Sequence, residues 1–293
     1  MFPPTVIVGL HGILRPHPWF DRIVERDPEG SVEEDLLGLA IDRAGSYGWQ
    51  TLSSWLTEGG KVTARHEPTA WAHEEVGGSW APDGRVHQLA WLQAGLLTDP
   101  PRPGLPVRPI ALVLSEALAR VGEVTFTGLH ALLPLQAAAR NTAFHQTELA
   151  SWFGLADPDA RHEVVVTVSC RPEKGGKSGK GRMRGKGDGD AVALCEAIRE
   201  RAQGAVDVSV SATECGLPGL ELDLGRVVHA EGMREVIRLG CRTREWSPDI
   251  AVWLLEMIAE GLRGMGRSVP VVVTASLISP PSGDGLANIA SVK

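Results

Sequence analysis

The stretch MREVIRLGCRT, residues 233–243, decides the fold because apolar and basic side chains alternate along it. The two sets of alternate positions are Ile237, Leu239 and Cys241 on one side and Arg234, Arg238 and Arg242 on the other. A period of two residues is typical of a β-strand that buries one face and exposes the other. The sequence therefore predicts an antiparallel sheet with one arginine-bearing face.

The residues around this strand complete one α+β unit. We predict strands at 164–170, 206–212 and 269–278 and a helix at 191–203. A second helix is expected from Ser247-Pro248-Asp249, which supplies an N-cap, a proline in the first turn and an early acid. The order β-α-β-β-α-β is the ferredoxin-like or split βαβ arrangement, in which two helices cover one face of a four-stranded antiparallel sheet.

The first half repeats this order. Strands are predicted at 5–14 and 123–133, helices at 31–45 and 110–121, and two or three strands in the tryptophan-rich stretch 49–97. The predicted fold is therefore α+β, with two ferredoxin-like units in tandem and antiparallel sheets. The predicted boundaries are 1–140 for the first unit, 141–161 for a linker, 162–279 for the second unit and 280–293 for a disordered tail.

The composition is that of an ordinary globular protein, with 293 residues, 43% of them hydrophobic and 22% charged. A net charge of −7 is mild, so any binding of a polyanion must be local. The four cysteines lack CxxC spacing, and we expect buried thiols in a reducing compartment. Because no stretch has the length of a membrane span and the N-terminus has no basic leader, we expect a cytoplasmic protein without a membrane partner.

Residues 171–190 form a local basic segment between a predicted strand and a predicted helix. Four of the six lysines of the chain lie in it, and seven glycines interrupt it. We predict a mobile loop that binds an anionic partner together with the arginine-bearing face, and a merely solvated insertion is the alternative. The predicted anion-binding residues are Lys174, Lys177, Lys180, Arg182, Arg184, Lys186, Arg234, Arg238 and Arg242. Gly176-Lys177-Ser178 is not a P-loop, because Arg171 stands where the motif needs its first glycine.

Two histidines are the candidates for catalysis. His11 and His130 each follow a Gly-Leu pair, in the first and the last predicted strand of the first half. These strands are neighbours in a ferredoxin-like sheet, so the two imidazoles are expected side by side. Such a pair exchanges protons or binds a metal, whereas the alternative is two hydrogen-bonded structural histidines. No third ligand stands at a fixed spacing, and we predict no metal site.

Three functions follow from these features. The first hypothesis is a non-catalytic binding or assembly protein that holds an acidic protein or RNA through the basic loop and the arginine-bearing face. The second is a small-molecule enzyme with a pocket between the paired units and His11 or His130 as acid or base. The third is an RNA-binding or RNA-processing protein, although the second-half strands lack the aromatic residues on which bases stack. No motif identifies a cofactor.

Overall fold

The computed structural model describes residues 4–20, 36–47, 56–58, 61–63, 71–81, 83–96, 105–137, 143–170, 183–211 and 234–278. The strands are β1 Thr5–Pro16, β2 Leu56–Glu58, β3 Lys61–Thr63, β4 Trp71–Gly77, β5 His87–Leu96, β6 Gly122–Pro134, β7 His162–Cys170, β8 Val206–Val210, β9 Arg234–Thr243 and β10 Pro270–Leu277. The helices are α1 Leu36–Ser46, α2 Val107–Val121, α3 Ala143–Phe153, α4 Met183–Ala202 and α5 Pro248–Gly264. A 3-10 turn, Leu135–Ala137, follows β6.

One large antiparallel sheet organises the molecule. Its eight strands lie in the order β4-β5-β1-β6-β10-β7-β9-β8, and β2 and β3 form a separate two-stranded sheet. The first four strands of the order come from the first half of the chain, and the other four come from the second half. In each half the first strand lies between the third and the fourth strand of the large sheet.

The two halves share this sheet, whereas the sequence predicts two separate sheets. Strands β6 and β10 pair antiparallel, with Ala131 opposite Val273 and Leu133 opposite Val271. Each would otherwise be an edge strand with unpaired backbone N–H and C=O groups. Pairing the two edges satisfies these groups, and this is the physical reason for the single sheet.

The helices cover one face of the large sheet and form the main core with it. The core contains the alternate residues Val271, Val273 and Ala275 of β10 and the inner side of α5. Trp253 of α5 is fully buried, and its ring lies 4.9 Å from the ring of Phe153 in α3. The predicted start of α5 is confirmed, because the Ile250 amide donates to the Ser247 hydroxyl at 3.4 Å.

Three elements differ from the sequence prediction. The described residues of the stretch 49–97 form four strands, two of them in the small sheet. The predicted linker contains α3, which packs on α4 and α5. Helix α4 begins at Met183, so residues 183–190 are helical and do not belong to a loop. Arg267 donates to Asp190 at 2.7 Å and ties this turn to the end of α5. Each further helical residue adds one hydrogen bond, which offsets part of the cost of about 1 kcal/mol that each glycine brings to a helix.

None of the described helices has the length and the apolar character that crossing a membrane requires. The predicted tail, residues 280–293, and the predicted capping box at 31–34 lie outside the described residues.

Candidate functional site

His11 and His130 are in direct contact in the middle of the sheet. We call them the histidine pair. The distance between His11 Nε2 and His130 Nδ1 is 2.6 Å, and the two rings meet edge to face with centroids 4.9 Å apart. Both side chains are buried, at 0% and 1% exposure. The structure thus brings together the two residues predicted for catalysis, while their action on a substrate stays a prediction.

Gly9 makes this contact possible. It lies opposite His130 across the β1–β6 pairing, and the imidazole ring of His130 covers its Cα. A Cβ at this position would lie 2.1 Å from His130 Cε1, far inside van der Waals contact. Only glycine leaves room for the ring, so the Gly-Leu-His repeat in β1 has a structural role.

The contact joins His130 Nδ1 and His11 Nε2, and one of these two nitrogens donates to the other. If His130 donates, its buried Nε2 carries a lone pair, and if His11 donates, His130 Nε2 carries the ring proton.

Burial lowers the pKa of His130 well below its ordinary value of 6.5, and the neighbouring His11 ring lowers it further. Desolvation disfavours the charged imidazolium, so the ring is neutral at neutral pH. A neutral histidine pair fits acid–base chemistry or a structural hydrogen bond. Among the described residues, no three His, Cys, Asp or Glu side chains group as metal ligands.

This pKa predicts a loss of stability in acid. The folded state binds a proton at His130 more weakly than the unfolded state does, because the folded-state pKa is the lower of the two. The contribution of neutral His130 to the free energy of unfolding is therefore complete above pH 6.5 and decreases as the pH falls toward the folded-state pKa. The loss is expected to reach about 1.4 kcal/mol per pH unit within this window. Urea unfolding between pH 7.5 and 5.0 measures it. The variant His130→Gln should show a shallower pH dependence than the unchanged protein, and equal slopes would contradict the prediction.

Polar side chains continue from the histidine pair across the sheet. Thr274 of β10 lies opposite His130, Thr167 of β7 opposite Thr274, and Arg238 of β9 opposite Thr167. Directly opposed residues of an antiparallel sheet share a face, and the hydroxyls of Thr167 and Thr274 are hydrogen-bonded to each other. We call the set His130, Thr274, Thr167 and Arg238 the polar row.

The polar row lies on the face opposite the main core, which we call the helix-free face, because the described helices all lie on the other side. The centre of this face is buried, since Thr274 is 9% exposed and Val165 and Val272 are buried. Toward the β8 edge the face is open, with Ser209 and Arg242 exposed. The accessible part of the helix-free face is therefore the part formed by β7, β9 and β8.

A gap without a side chain lies in this accessible part. Gly240 stands between Arg238 and Arg242 on the same face of β9, and we call this position the glycine gap. Its nearest neighbours are hydroxyl-bearing residues of the β8 segment, since a Cβ there would lie 3.4 Å from Ser209 Oγ and 3.7 Å from Ser211 Cβ. The gap is thus bordered by a guanidinium at each end and by hydroxyls at one side.

The two described arginines have different cross-strand neighbours. Arg242 lies opposite Glu163 of β7 and Asp207 of β8, and its Nε donates to Glu163 Oε1 at 2.7 Å. This hydrogen bond raises the pKa of Arg242. Arg238 lies opposite a threonine in β7, and its backbone carbonyl accepts from the Ser211 amide at 3.0 Å. Two carboxylates therefore lie beside Arg242, and Thr167 lies directly opposite Arg238.

The other predicted anion-binding residues contribute no described side chain to this face. The alternation of faces along β9 is interrupted by a bulge between Glu235 and Ile237. Because of this bulge, Arg234 pairs with Cys170, a residue of the main core. Arg184 and Lys186 lie in α4 and not in a loop. Lys174, Lys177, Lys180 and Arg182 lie outside the described residues. Of the nine residues, the structure thus supports Arg238 and Arg242 as members of the helix-free face.

A cleft of about 510 Å³ lies where the end of α5 meets the 3-10 turn of the first half. Arg263 and Arg267 line it together with Gln136. Arg263 donates to Glu260 at 2.9 Å and Arg267 donates to Asp190 at 2.7 Å. Because each guanidinium faces a carboxylate, the charge of this cleft is balanced.

Tryptophans of the first half serve packing where the structure describes them. The indole of Trp91 lies against Gly77, as the His130 ring lies against Gly9. The Trp80 indole N–H donates to the Leu89 carbonyl at 3.0 Å. Cys170, Cys195 and Cys241 are buried, as predicted, and burial raises the pKa of Cys241 to about 12. The thiol of Cys241 therefore stays protonated and unreactive.

Sequence reasoning missed the hydroxyl residues and the glycine gap. Thr167 and Thr274 stand in strands that look uniformly apolar, and their pairing depends on which strands are neighbours. Gly240 carried a local signal, because a glycine inside an alternating strand marks a place where something approaches the backbone.

Comparison with known proteins identified no relative of this chain. No family model, no curated protein and no solved structure matches it.

Proposed function

We propose that this protein binds an anionic partner through phosphate groups, at the glycine gap on the helix-free face. The observation that carries the proposal is the position of Arg238 beside a side-chain-free glycine, with the hydroxyl-bearing Ser209 and Thr167 on the adjacent strands. Arginine and hydroxyl groups are the usual partners of phosphate oxygens in proteins. The missing side chain at Gly240 leaves the space that a phosphate needs to approach the strand.

The carboxylates at the other end of the gap orient such a partner. Glu163 and Asp207 flank Arg242, and they repel an anion from that end. A phosphate is therefore directed toward Arg238. A partner that carries several phosphates, such as single-stranded RNA, extends over the accessible part of the helix-free face without requiring base contacts. An acidic protein is a less suitable partner, because a carboxylate group pairs with the guanidinium but has fewer oxygens than a phosphate to accept from the neighbouring hydroxyls.

We further propose that the shared sheet is made of two ferredoxin-like units joined at β6 and β10. The strand order of each half supports this interpretation, since β4-β5-β1-β6 and β8-β9-β7-β10 follow the same pattern. The boundaries remain 1–140 and 162–279 in this proposal, with α3 between the units. The free thiols of Cys195 and Cys241 support a reducing compartment such as the cytoplasm.

The proposal predicts specific loss of phosphate binding in two variants. The change Arg238→Gln is expected to weaken binding of a fluorescein-labelled twelve-nucleotide oligouridylate about tenfold or more, because a charge-assisted hydrogen bond is lost. Gly240→Ala should weaken it as well by filling the gap. The fold tolerates this alanine, since its Cβ meets nothing closer than Ser209 Oγ at 3.4 Å. Fluorescence anisotropy at several salt concentrations measures both affinities.

The matched control is Arg120→Gln, which removes the same charge from an exposed residue of α2 on the other side of the sheet. Its affinity should stay within twofold of the unchanged protein. Equal losses in Arg238→Gln and Arg120→Gln would show that net charge alone governs binding, and the proposed site would be withdrawn. Tighter binding of poly-glutamate than of the oligouridylate would assign the face to an acidic protein instead.

A further inference from the structure

We propose that the C-terminal end of α3 is a docking site for a cationic amphipathic segment of a partner protein. The site consists of the apolar side chains of Trp152 and Leu155 and the carboxylates of Asp157 and Asp159, and we call it the α3 turn. It lies on the helix side of the large sheet and shares no residue with the glycine gap. Docking at the α3 turn is therefore independent of phosphate binding.

Trp152 and Leu155 are the two most exposed large apolar residues that the structure describes. Their exposed fractions are 65% and 81%. The two residues are also neighbours, because the Leu155 amide donates to the Trp152 carbonyl at 3.1 Å. Single exposed apolar side chains are common on protein surfaces and need no explanation, whereas contiguous apolar surface marks a place of interaction.

The backbone beneath these two side chains is fixed by the core. Phe153 lies between them in sequence and is buried, with its ring 4.9 Å from the ring of Trp253 in α5. The Gly154 amide donates to the Ala150 carbonyl at 3.0 Å and closes the helix. A surface that is ordered before binding loses less conformational entropy when a partner arrives. Tryptophan adds a large contact area with only two side-chain torsions to fix.

The residues that follow Leu155 give the α3 turn a negative charge. Asp157 and Asp159 are exposed, and no ion pair between described residues involves either carboxylate. Asp157 accepts a hydrogen bond from the Asp159 amide at 2.9 Å. Arg161 donates to the carbonyls of Pro158 and Ala160 at 2.5 and 2.6 Å. Two carboxylates and one guanidinium leave this stretch with a net charge of −1.

An apolar centre beside carboxylates fits a partner segment that carries apolar and basic side chains. The apolar side chains of the segment cover Trp152 and Leu155, and its basic groups are attracted to the two aspartates. A second copy of this chain is a less suitable partner, because a two-fold dimer would bring the aspartates of both copies together. An anionic membrane surface would be repelled as well. An amphipathic helix with lysine on its polar face is the simplest segment of this kind.

The test uses a fluorescein-labelled helical peptide with leucine on one face and lysine on the other, and fluorescence anisotropy with the full chain measures its affinity. We expect Trp152→Ala to weaken binding about tenfold or more and Leu155→Ala about threefold or more, because a few anchors carry most of the binding energy. The matched control is Leu112→Ala, which truncates an exposed leucine of α2. Its affinity should stay within twofold of the unchanged protein.

The carboxylates are tested in a separate pair of double variants. Changing Asp157 and Asp159 to asparagine keeps a side-chain acceptor at position 157 and removes two charges. We expect binding to weaken about three- to tenfold and to depend less on salt. The control changes Glu196 and Glu200, exposed residues of α4, to glutamine. Equal losses in the two double variants would show that net charge alone governs binding, and the docking site would be withdrawn.

Other outcomes also decide the proposal. Equal peptide affinity of Trp152→Ala and the unchanged protein would overturn it, as would a preference for the same peptide with glutamate in place of lysine. Self-association in analytical ultracentrifugation that Trp152→Ala abolishes would assign the α3 turn to a second copy instead. Binding to vesicles of phosphatidylcholine and phosphatidylserine that this variant loses would assign it to a membrane. Oligouridylate affinity should be unchanged in Trp152→Ala, so failure of docking leaves the proposed function standing.

Discussion

Replacement of Trp253 by alanine is expected to lower the free energy of unfolding by about 3 to 5 kcal/mol. The indole is fully buried in α5 and stacks at a tilt on Phe153, whose ring centroid is 4.9 Å away. Truncation removes one of the largest fully buried side chains among the described residues and leaves a cavity in the main core. It also separates α3 from α5, since Phe153 loses its aromatic partner.

Urea unfolding monitored by circular dichroism measures this loss. The matched control is Trp152→Ala in α3, because Trp152 neighbours Phe153 in sequence but is 65% exposed. We expect a change below about 0.5 kcal/mol for this control. A loss under 1 kcal/mol in Trp253→Ala would mean that α5 does not form the centre of the core.

Gly9→Ala is expected to cost about 2 to 4 kcal/mol, an unusually large effect for the addition of one methyl group. The new Cβ would lie 2.1 Å from His130 Cε1, so the imidazole must leave its position over β1. Moving the ring breaks the 2.6 Å contact with His11 and leaves two buried imidazoles without their mutual hydrogen bond. Both neighbouring strands of β1 are paired, and the backbone has little freedom to yield.

A double-mutant cycle identifies the cause of that cost. In a His130→Ala background the ring is absent, and Gly9→Ala should then cost under about 1 kcal/mol. Gly240→Ala serves as a control in the same sheet, because its Cβ has ordinary contacts only. If Gly9→Ala is equally costly with and without the His130 ring, strand conformation and not the ring is responsible.

Local periodicity was sufficient to predict most elements of the fold. The alternation through Ile237, Leu239 and Cys241 places these residues in the core, as the structure shows. The contact between His11 and His130 followed from the rule that the first and last strands of such a unit are neighbours. Both inferences depend on patterns within one half of the chain, where sequence separation and topology are strongly constrained.

Features that join distant segments were not predictable from local pattern. The pairing of β6 with β10 depends on the meeting of two edges more than a hundred residues apart. The bulge beyond Ile237 moves Arg234 out of phase with Arg238, and an alternating sequence does not reveal such a bulge. Glycines at 185, 187 and 189 favour a loop locally, yet residues 183–190 are helical, and Asp190 at the end of this stretch accepts a hydrogen bond from the distant Arg267.

The pairing of β6 with β10 also determines how the chain responds to damage. If one half unfolds, the strand of the other half that was paired with it becomes an edge strand with unpaired backbone groups. The helices that packed against the unfolded half become exposed to solvent. Neither half therefore has an intact surface of its own, and a lesion in one weakens the other. A change at the central pair of strands is therefore expected to destabilise both halves of the molecule.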